Sequence, residues 1–283
     1  AESVDAVVSS SAGGMAAVLC RADEVQVEQQ SMRGTETAAP ATETETSPAL
    51  SVDGKPWKFV IAPYLWIPAV HGTVASGPVS GTISESVGDT WNALWDNFQF
   101  AACIHLEATK DRWTVFGDIL YMDLGNTAAN VPVSVDFKMG IFELGGGYAA
   151  YYGALPGAEA DSTVRVLIEP IAGVRVWTID ASISDATRSR GPNETWVDGF
   201  AGLRGALEFN ETFSLIARAD AGAGMSEFTW NALAMFNVNF NKNIAVFAGW
   251  RWLSDDYHTG SDRDRFEFDV NMNGPFAGLK ITF

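Results

Sequence analysis

The sequence has few cysteines, few basic residues and no long hydrophobic run. Its two cysteines, Cys20 and Cys103, lie in regions of different character and do not imply a disulfide framework. The chain has 18 Lys and Arg residues against 35 Asp and Glu residues, so its net charge is −17. Nucleic acid is therefore an unfavourable partner, because phosphate binding needs clustered basic side chains. The most apolar stretch, residues 61–70, is broken by Pro63 and Pro68 and is far shorter than the roughly 20 residues of a transmembrane helix.

Charge of either sign is also scarce. Charged residues make up 19% of the chain, below the usual value of about 25%, while 47% of residues are hydrophobic and 12% are aromatic. The composition therefore favours a protein whose outer face is apolar.

Residues 1–55 differ from the rest of the chain. They include the segment TETAAPATETETSP at 35–48, which mixes Thr, Glu, Ala and Pro without aromatic residues. Such a segment cannot bury enough apolar surface to offset the entropy lost on ordering. The sequence predicts a flexible, disordered acidic leader over 1–55 and one domain over 56–283.

Hydrophobicity alternates with a period of two throughout that domain. In 98–109 and again in 228–240, every second residue is apolar and most residues between them are polar. This pattern is typical of transmembrane β-strands, in which one face meets lipid and the other meets the lumen. Ten strands are predicted, at 57–75, 98–109, 112–124, 136–152, 163–178, 195–208, 212–222, 228–240, 243–254 and 265–283.

The connections between these strands predict an all-β fold, a closed antiparallel transmembrane β-barrel. The short connections 110–112, 210–212 and 241–243 fall on the side of Phe283, and the longest, 76–97 and 179–194, fall on the other. Short periplasmic turns and long external loops are the usual asymmetry of such barrels. The number of wall strands becomes twelve if residues 79–87 form a wall strand and the long first strand is divided to give it a partner.

The first external connection carries a predicted helix. Asp89 is a capping residue, and Trp91, Leu94 and Trp95 recur with helical spacing. Two positions stay open for this helix: a plug in the barrel mouth, or a place on the rim.

Alternation predicts a set of charged side chains in the lumen. They form either a charged eyelet that selects solutes or an interstrand salt-bridge network that fills a narrow barrel, because bare charges facing the interior cost several kcal/mol each. The predicted set is His105, Glu107, Asp118, Lys138, Arg165, Glu169, Arg175, Asp198, Arg204, Arg218, Asp220 and Arg251.

Most Trp and Tyr residues of the barrel fall near predicted strand ends. They are typical of the aromatic girdles that anchor a barrel at the headgroup level. The predicted girdle includes Trp57, Tyr64, Trp66, Trp113, Tyr121, Tyr148, Tyr151, Tyr152, Trp177, Trp196, Trp250 and Trp252.

Two motifs suggest further chemistry weakly. The loop carrying Asp255, Asp256, Asp262 and Asp264 offers carboxylates to a hard cation such as Ca²⁺, but its spacing is not that of an EF-hand, and solvated loop charge is the favoured explanation. His105 beside Glu107 offers a base and its orienting group, yet no motif marks a nucleophilic Ser. No cofactor and no resident metal are expected, and an enzyme is not favoured.

The barrel region resembles an uncharacterised family of proteobacterial outer-membrane β-barrel (porin-like) proteins. The matching segments are GVRVW at 173–177, WVDGFAGLR at 196–204, RADAGAG at 218–224, GWRWL at 249–253 and GPFAGLKITF at 274–283. The resemblance implies a location in the outer membrane of Gram-negative bacteria, contact with its lipid and lipopolysaccharide, and recognition of the C-terminal Phe283 by the barrel assembly machinery. It implies no particular activity.

The sequence thus predicts a narrow porin-like channel or a ligand-binding barrel with a charged lumen. A structural or adhesive outer-membrane barrel with an occluded lumen is the alternative, and a barrel hydrolase is a third. A soluble lipid-binding barrel would turn its apolar face inward, which the flexible leader and terminal aromatic residue disfavour.

Overall fold

The structure is a computed structural model that describes residues 56–76, 79–96, 98–127, 133–155, 157, 163–185, 189–190 and 193–283. The predicted leader, 1–55, lies outside the described residues. The elements are β1 (Lys58–Trp66), β2 (Ala69–Ser76), β3 (Val79–Glu85), α1 (Val87–Asp96), β4 (Phe98–Lys110), β5 (Trp113–Thr127), β6 (Val133–Tyr148), β7 (Tyr151–Ala154), β8 (Arg165–Asp185), β9 (Ser189–Arg190), β10 (Asn193–Glu208), β11 (Phe213–Gly224), β12 (Phe228–Asn239), β13 (Ile244–Thr259), a 3₁₀ turn (Asp262–Asp264) and β14 (Phe266–Thr282).

Ten strands close into an antiparallel barrel, as predicted. Their order around the wall is β1, β4, β5, β6, β8, β10, β11, β12, β13 and β14. β1 pairs with β4 on one side and with β14 on the other, which completes the circuit. At this seam Phe283 donates its backbone N–H to the carbonyl of Phe59 at 2.9 Å. Closure leaves no unpaired edge at that height, which a wall in lipid requires.

The short turns gather at one end of the barrel. Asp111 turns the chain between β4 and β5 in the left-handed conformation, at φ 52°. Asn210 and Asn241 each accept two backbone N–H groups through the side-chain oxygen, at 2.9 Å, which closes the turns after β10 and β12. Phe283 lies at this same end, so the end is periplasmic by the usual asymmetry of such barrels.

The first predicted strand is broken in two. Ile67 and Pro68 separate β1 from β2, and both halves pair with β14. β2 then pairs with β3, whereas the upper part of the wall on that side has no ladder from β3 to β4 among the described residues. β3 is an extension of the sheet, and the closed circuit keeps ten strands rather than twelve.

The outer face carries an apolar belt. On β13 the outward residues from Ile244 to Trp252 are apolar, and the next outward residues are Ser254, Asp256 and His258. This height matches the roughly 9–11 residues that cross a bilayer. Every wall strand contributes an exposed apolar side chain: Phe59, Leu106, Val115, Leu144, Ile168, Leu203, Phe213, Phe236, Val246 and Leu279.

The strands continue beyond this belt on the extracellular side. On β14 the outward residues change from Leu279, Ala277 and Pro275 to Asn273 and Asn271. We call the part within the belt the membrane half and the part above it the extracellular half. Among the described residues, no helix is both long enough and apolar enough to cross a membrane.

The aromatic girdle is smaller than predicted. Trp57, Trp113, Tyr148, Trp250 and Trp252 are exposed on the outer face, in keeping with the prediction. The prediction is wrong for five others, which point inward because they occupy the inner parity of their strands: Tyr64, Trp66, Tyr152, Trp177 and Trp196.

Candidate functional site

A balanced network of buried ions crosses the lumen. We call it the charge layer, and its members are Asp118, Glu143, Arg175, Arg218, Asp220 and Arg251. They come from five strands, and the carboxylates of Asp118 and Glu143 and the guanidinium of Arg175 lie side by side on β5, β6 and β8.

Glu143 is the centre of the charge layer. Its carboxylate lies 2.9 Å from Nε of Arg175, 2.8 Å from Nη2 of Arg218 and 3.2 Å from Nη2 of Arg251. Arg175 and Arg218 each also reach Asp220, at 2.7 and 2.8 Å. Opposite sides of the wall are thus joined through one carboxylate, and the three arginines are balanced by three acids.

Neutral groups complete the charge layer. Tyr64 donates its hydroxyl to Asp118 at 2.6 Å and accepts from Arg251 at 3.3 Å. Asn231 donates to Asp220 and accepts from Arg251, both at 2.9 Å. This dense pairing offsets part of the cost of removing the ions from water.

A smaller network lies beside the charge layer. Arg204 of β10 bonds to Glu107 of β4 across the lumen and donates to Glu169 at 2.5 Å. His105 lies 3.1 Å from Asp118 through Nδ1 and 3.7 Å from Glu107 through Nε2. This second network therefore continues into the charge layer through Asp118.

The predicted lumen charges have four outcomes, of which the last concerns Lys138. Nine of them point into the lumen and belong to the two networks: His105, Glu107, Asp118, Glu169, Arg175, Arg204, Arg218, Asp220 and Arg251. Asp198 is inward but separate, and accepts the backbone N–H of Ser226 at 2.8 Å. Arg165 lies exposed at the periplasmic end, with its guanidinium over the Tyr152 ring at 5.7 Å.

The assignment of Lys138 to the lumen was wrong. Lys138 shares the outward parity of Phe142 and Leu144, which are exposed, whereas Glu143 is inward and buried. Both faces of this stretch are apolar around these residues, so alternation does not tell them apart. The same ambiguity hid Glu143, and sequence reasoning also missed Glu208 and Lys280.

Above the charge layer the lumen is packed with aromatic rings. We call this group the aromatic core, formed by Trp177, Trp196, Tyr257, Phe266 and Phe268, each at most 4% exposed. The rings of Trp196 and Tyr257 are parallel, with centroids 4.3 Å apart, although their strands are separated by β11 and β12. Among the described residues, side chains from distant strands thus pack against one another across the lumen of the extracellular half.

Below the charge layer lies a cavity of about 130 Å³. Tyr64, Asp118, Arg218 and Arg251 form its upper boundary, and Lys280 and Thr282 line it near the periplasmic end. Most of its wall is apolar, with residues such as Ala62, Ala206, Leu233, Met235, Phe247 and Phe276. The His105 side chain keeps 26% of its surface accessible because it borders this cavity.

The predicted metal loop does not bring its four acids together. Asp255 points inward, is buried and accepts from Nε1 of Trp196 at 3.0 Å. Asp256 instead joins Glu227 and His258 on the outer face, with ligand atoms within 4.8 Å of one another. Asp262 and Asp264 lie in the exposed 3₁₀ turn beyond β13.

His105 lacks the partner that hydrolysis would require. Its two ring nitrogens face Asp118 and Glu107, and no Ser or Thr hydroxyl bonds to it among the described residues. An imidazole held between two carboxylates is a member of an ion network rather than a base poised on a nucleophile.

α1 packs against β2, β3 and β4 at the rim. The helix begins one turn earlier than predicted: Ser86 is its cap, and the Ser86 hydroxyl and backbone N–H both donate to Asp89, which lowers the pKa of that carboxyl. Trp91 is exposed, while the side chains of Leu94 and Trp95 lie outside the described set. The aromatic core already occupies the extracellular half of the lumen, so the position on the rim is favoured over the plug.

Comparison with known proteins gives only distant structural likenesses. No protein-family model matches the chain, and no curated protein matches it in sequence. Similar solved structures include the attachment invasion locus protein Ail of Yersinia pestis in complex with the heparin analogue sucrose octasulfate (12% identity, covering 80% of this chain and 98% of that one, TM-score 0.34). They also include Neisserial surface protein A (13%, 81% and 100%, TM-score 0.32) and an outer membrane channel from Pseudomonas putida F1 (11%, 83% and 97%, TM-score 0.33).

The chain's own wall gives its location. A closed antiparallel barrel with a lipid-facing apolar belt and short turns at one end is the architecture of bacterial outer-membrane proteins. The chain is an integral β-barrel protein of the bacterial outer membrane.

Proposed function

We propose that the protein is a ligand-binding outer-membrane barrel. It takes a small, mainly apolar molecule into the cavity of its membrane half and does not conduct solutes. The observation that carries this proposal is the contrast along one lumen, where a cavity with an apolar wall ends at the charge layer and the packed aromatic core. Apolar concave sites with a few polar groups are the usual form of small-molecule sites.

The porin-like alternative would need a continuous aqueous path. Trp196 and Tyr257 stack across the extracellular half, and Glu143 links arginines from three strands below them. Ions would have to break buried, hydrogen-bonded pairs to pass, which is strongly unfavourable. Planar-bilayer recordings of the purified protein are expected to give no conductance, and steady single-channel currents would support the channel instead.

Methionine methyl groups offer a direct test of binding. Met235 lines the cavity, whereas Met272 is buried among the apolar residues of the extracellular half. With ¹³C-methyl methionine in lipid nanodiscs, toluene is expected to shift the Met235 resonance saturably and leave Met272 unchanged.

A filled cavity provides the control for that titration. Ala206→Leu places extra carbon in the cavity and is expected to abolish the Met235 response, whereas Ala234→Leu adds the same volume on the exposed outer face and leaves it intact. A Met235 that never responds, or that responds equally in both variants, contradicts the proposal and favours a purely structural or adhesive barrel.

A further inference from the structure

We propose that Glu208, Ser214 and Asn237 form a polar subsite in the cavity wall that binds an uncharged carboxamide or hydroxyl group of the ligand. This inference rests on the proposed function and adds the chemical class of the molecule: an apolar body with one neutral group that both donates and accepts hydrogen bonds. We call the three residues the polar row.

The register of three neighbouring strands brings the polar row together. Glu208 of β10 pairs with Ser214 of β11, and Ser214 pairs with Asn237 of β12. Directly opposite residues have Cβ atoms about 4.5–5.5 Å apart and point to the same face. All three line the cavity.

The polar row is buried with unused hydrogen-bonding capacity. Glu208 and Ser214 are each 3% exposed and Asn237 is 0% exposed. Oε1 of Glu208, Oγ of Ser214 and both polar atoms of the Asn237 amide have no hydrogen-bond partner among the described residues. A buried polar group left in this state destabilises the fold, so its presence against a cavity indicates a partner that enters the cavity.

Two other inward asparagines of β12 have hydrogen-bonded amide groups. Asn231 bonds to Asp220 and Arg251, and Asn239 donates to the carbonyl of Glu211 at 2.9 Å. Both lie on the same strand and face as Asn237. Only the asparagine that lines the cavity has both of its amide atoms unpaired among these three.

The charges around the cavity disfavour a charged ligand group. Glu208 opposes an anion, and the ammonium of Lys280, which also lines the cavity and interacts electrostatically with Glu208, opposes a cation. The Asn237 amide and the Ser214 hydroxyl can each donate and accept. A neutral group with both capacities matches this arrangement.

The rest of the cavity sets the size and character of the ligand body. The rings of Phe116, Phe247 and Phe276 line it, and its volume of about 130 Å³ is close to that of an engineered apolar cavity that holds benzene. Benzamide, which joins one ring to one carboxamide, is therefore a suitable probe.

The test compares four probes of similar size in the full-length protein. Benzamide, toluene, benzoate and benzylammonium are titrated separately in nanodiscs, with the Met235 methyl shift as the readout. Benzamide is expected to bind more tightly than benzoate or benzylammonium. The double variant Ser214→Ala/Asn237→Leu is expected to weaken benzamide binding by about ten-fold or more, because it removes two hydrogen-bonding groups, and to leave toluene binding unchanged or stronger.

Matched variants separate this subsite from general effects. Ser226→Ala removes an equally buried hydroxyl of the extracellular half that also lacks a hydrogen bond, and Asn239→Leu removes an inward amide that does not line the cavity. Neither is expected to change benzamide affinity. Each variant replaces polar atoms by apolar ones, and refolding is checked by denaturant titration.

The outcomes distinguish the two proposals. If toluene binds but benzamide affinity is the same in the double variant and in the wild type, or falls equally in the matched variants, the polar row is not a ligand subsite although the cavity still binds. Tighter binding of a charged probe also overturns the inference. If no probe shifts Met235, the proposed function itself fails.

Discussion

The two halves of the lumen have opposite interiors within one continuous wall. In the extracellular half, large rings such as Trp196 and Phe268 meet across the axis and are buried. In the membrane half, the inward residues include Ala62, Ala206 and Ser214, which are too small to meet, and a cavity remains. Since the wall strands other than β1 continue from one half into the other, the volume of the inward side chains, rather than the size of the barrel, decides which part is closed.

The charge layer holds the boundary between the packed half and the cavity in a fixed position. It lies between the aromatic core and the cavity, with Arg218 stacked on Phe116 at 5.0 Å and Arg251 over Trp66 at 5.4 Å. An apolar boundary could slide or repack, whereas a network of paired ions keeps its geometry because each broken pair leaves a buried charge. The cavity therefore has a fixed upper end.

The largest effect is expected at this boundary. Glu143→Gln removes the carboxylate shared by three arginines and is expected to lower the free energy of unfolding by about 3–5 kcal/mol, because buried cations lose their partner. Denaturant unfolding in lipid vesicles measures it. Glu267→Gln, which breaks a pair with the exposed Arg265, should cost less than about 1 kcal/mol. If the two variants lost the same free energy of unfolding, the charge layer would not be a rigid upper boundary of the cavity.

The next largest effect is expected from a Leu→Ala substitution, made once in each half of the barrel. Leu253→Ala in the extracellular half empties a fully buried position and is expected to cost about 4 kcal/mol, whereas Leu233→Ala at the cavity wall is expected to cost about 2 kcal/mol. The difference arises because Leu233 already borders unfilled space. The same unfolding titration checks it, and a larger loss at Leu233 would reverse the comparison.

Adding volume should produce the opposite contrast. Val270→Phe overpacks the extracellular half, where Val270 is 1% exposed, and is expected to cost about 1–3 kcal/mol. Ala206→Leu extends into the cavity and is expected to change stability by less than about 0.5 kcal/mol. Should both variants lose the same stability, the cavity would be too constrained to accept a ligand.

The smallest effect is stabilisation by the ligand itself. Toluene at ten times its Kd is expected to raise the free energy of unfolding by about 1.4 kcal/mol in the wild type, because it binds only the folded state. The gain should disappear in Ala206→Leu and persist in Ala234→Leu. Stabilisation of all three proteins to the same extent would place toluene outside the cavity.

The wall could be predicted from the sequence because one face of each strand must be apolar. Alternation located all ten wall strands, and turn lengths identified the periplasmic end. Prediction failed where both faces are apolar, as on β6, where Met139 and Ile141 pack inward and Phe142 and Leu144 face outward. There the period of two disappears, so Lys138 was placed inside and Glu143 was missed.

The cavity could not be predicted for a different reason. Its shape depends on which side chains from many strands reach the same height, and that depends on the stagger between strands, which no single strand encodes. Ser214 and Asn237 are ordinary inward polar residues in the sequence. Only their register, their burial and the lack of partners distinguish them from Asn231 and Asn239.

The break at Ile67 and Pro68 has a consequence for the permeability barrier of the cell envelope. Below the break, β1 pairs with β4 from Lys58 to Tyr64 within the membrane half, and above it β2 pairs with β3. On this side of the barrel, the closed circuit of backbone hydrogen bonds therefore lies in the membrane half. Sequence between β2 and β4 can accordingly diverge, or accept an inserted epitope, without making the outer membrane leaky.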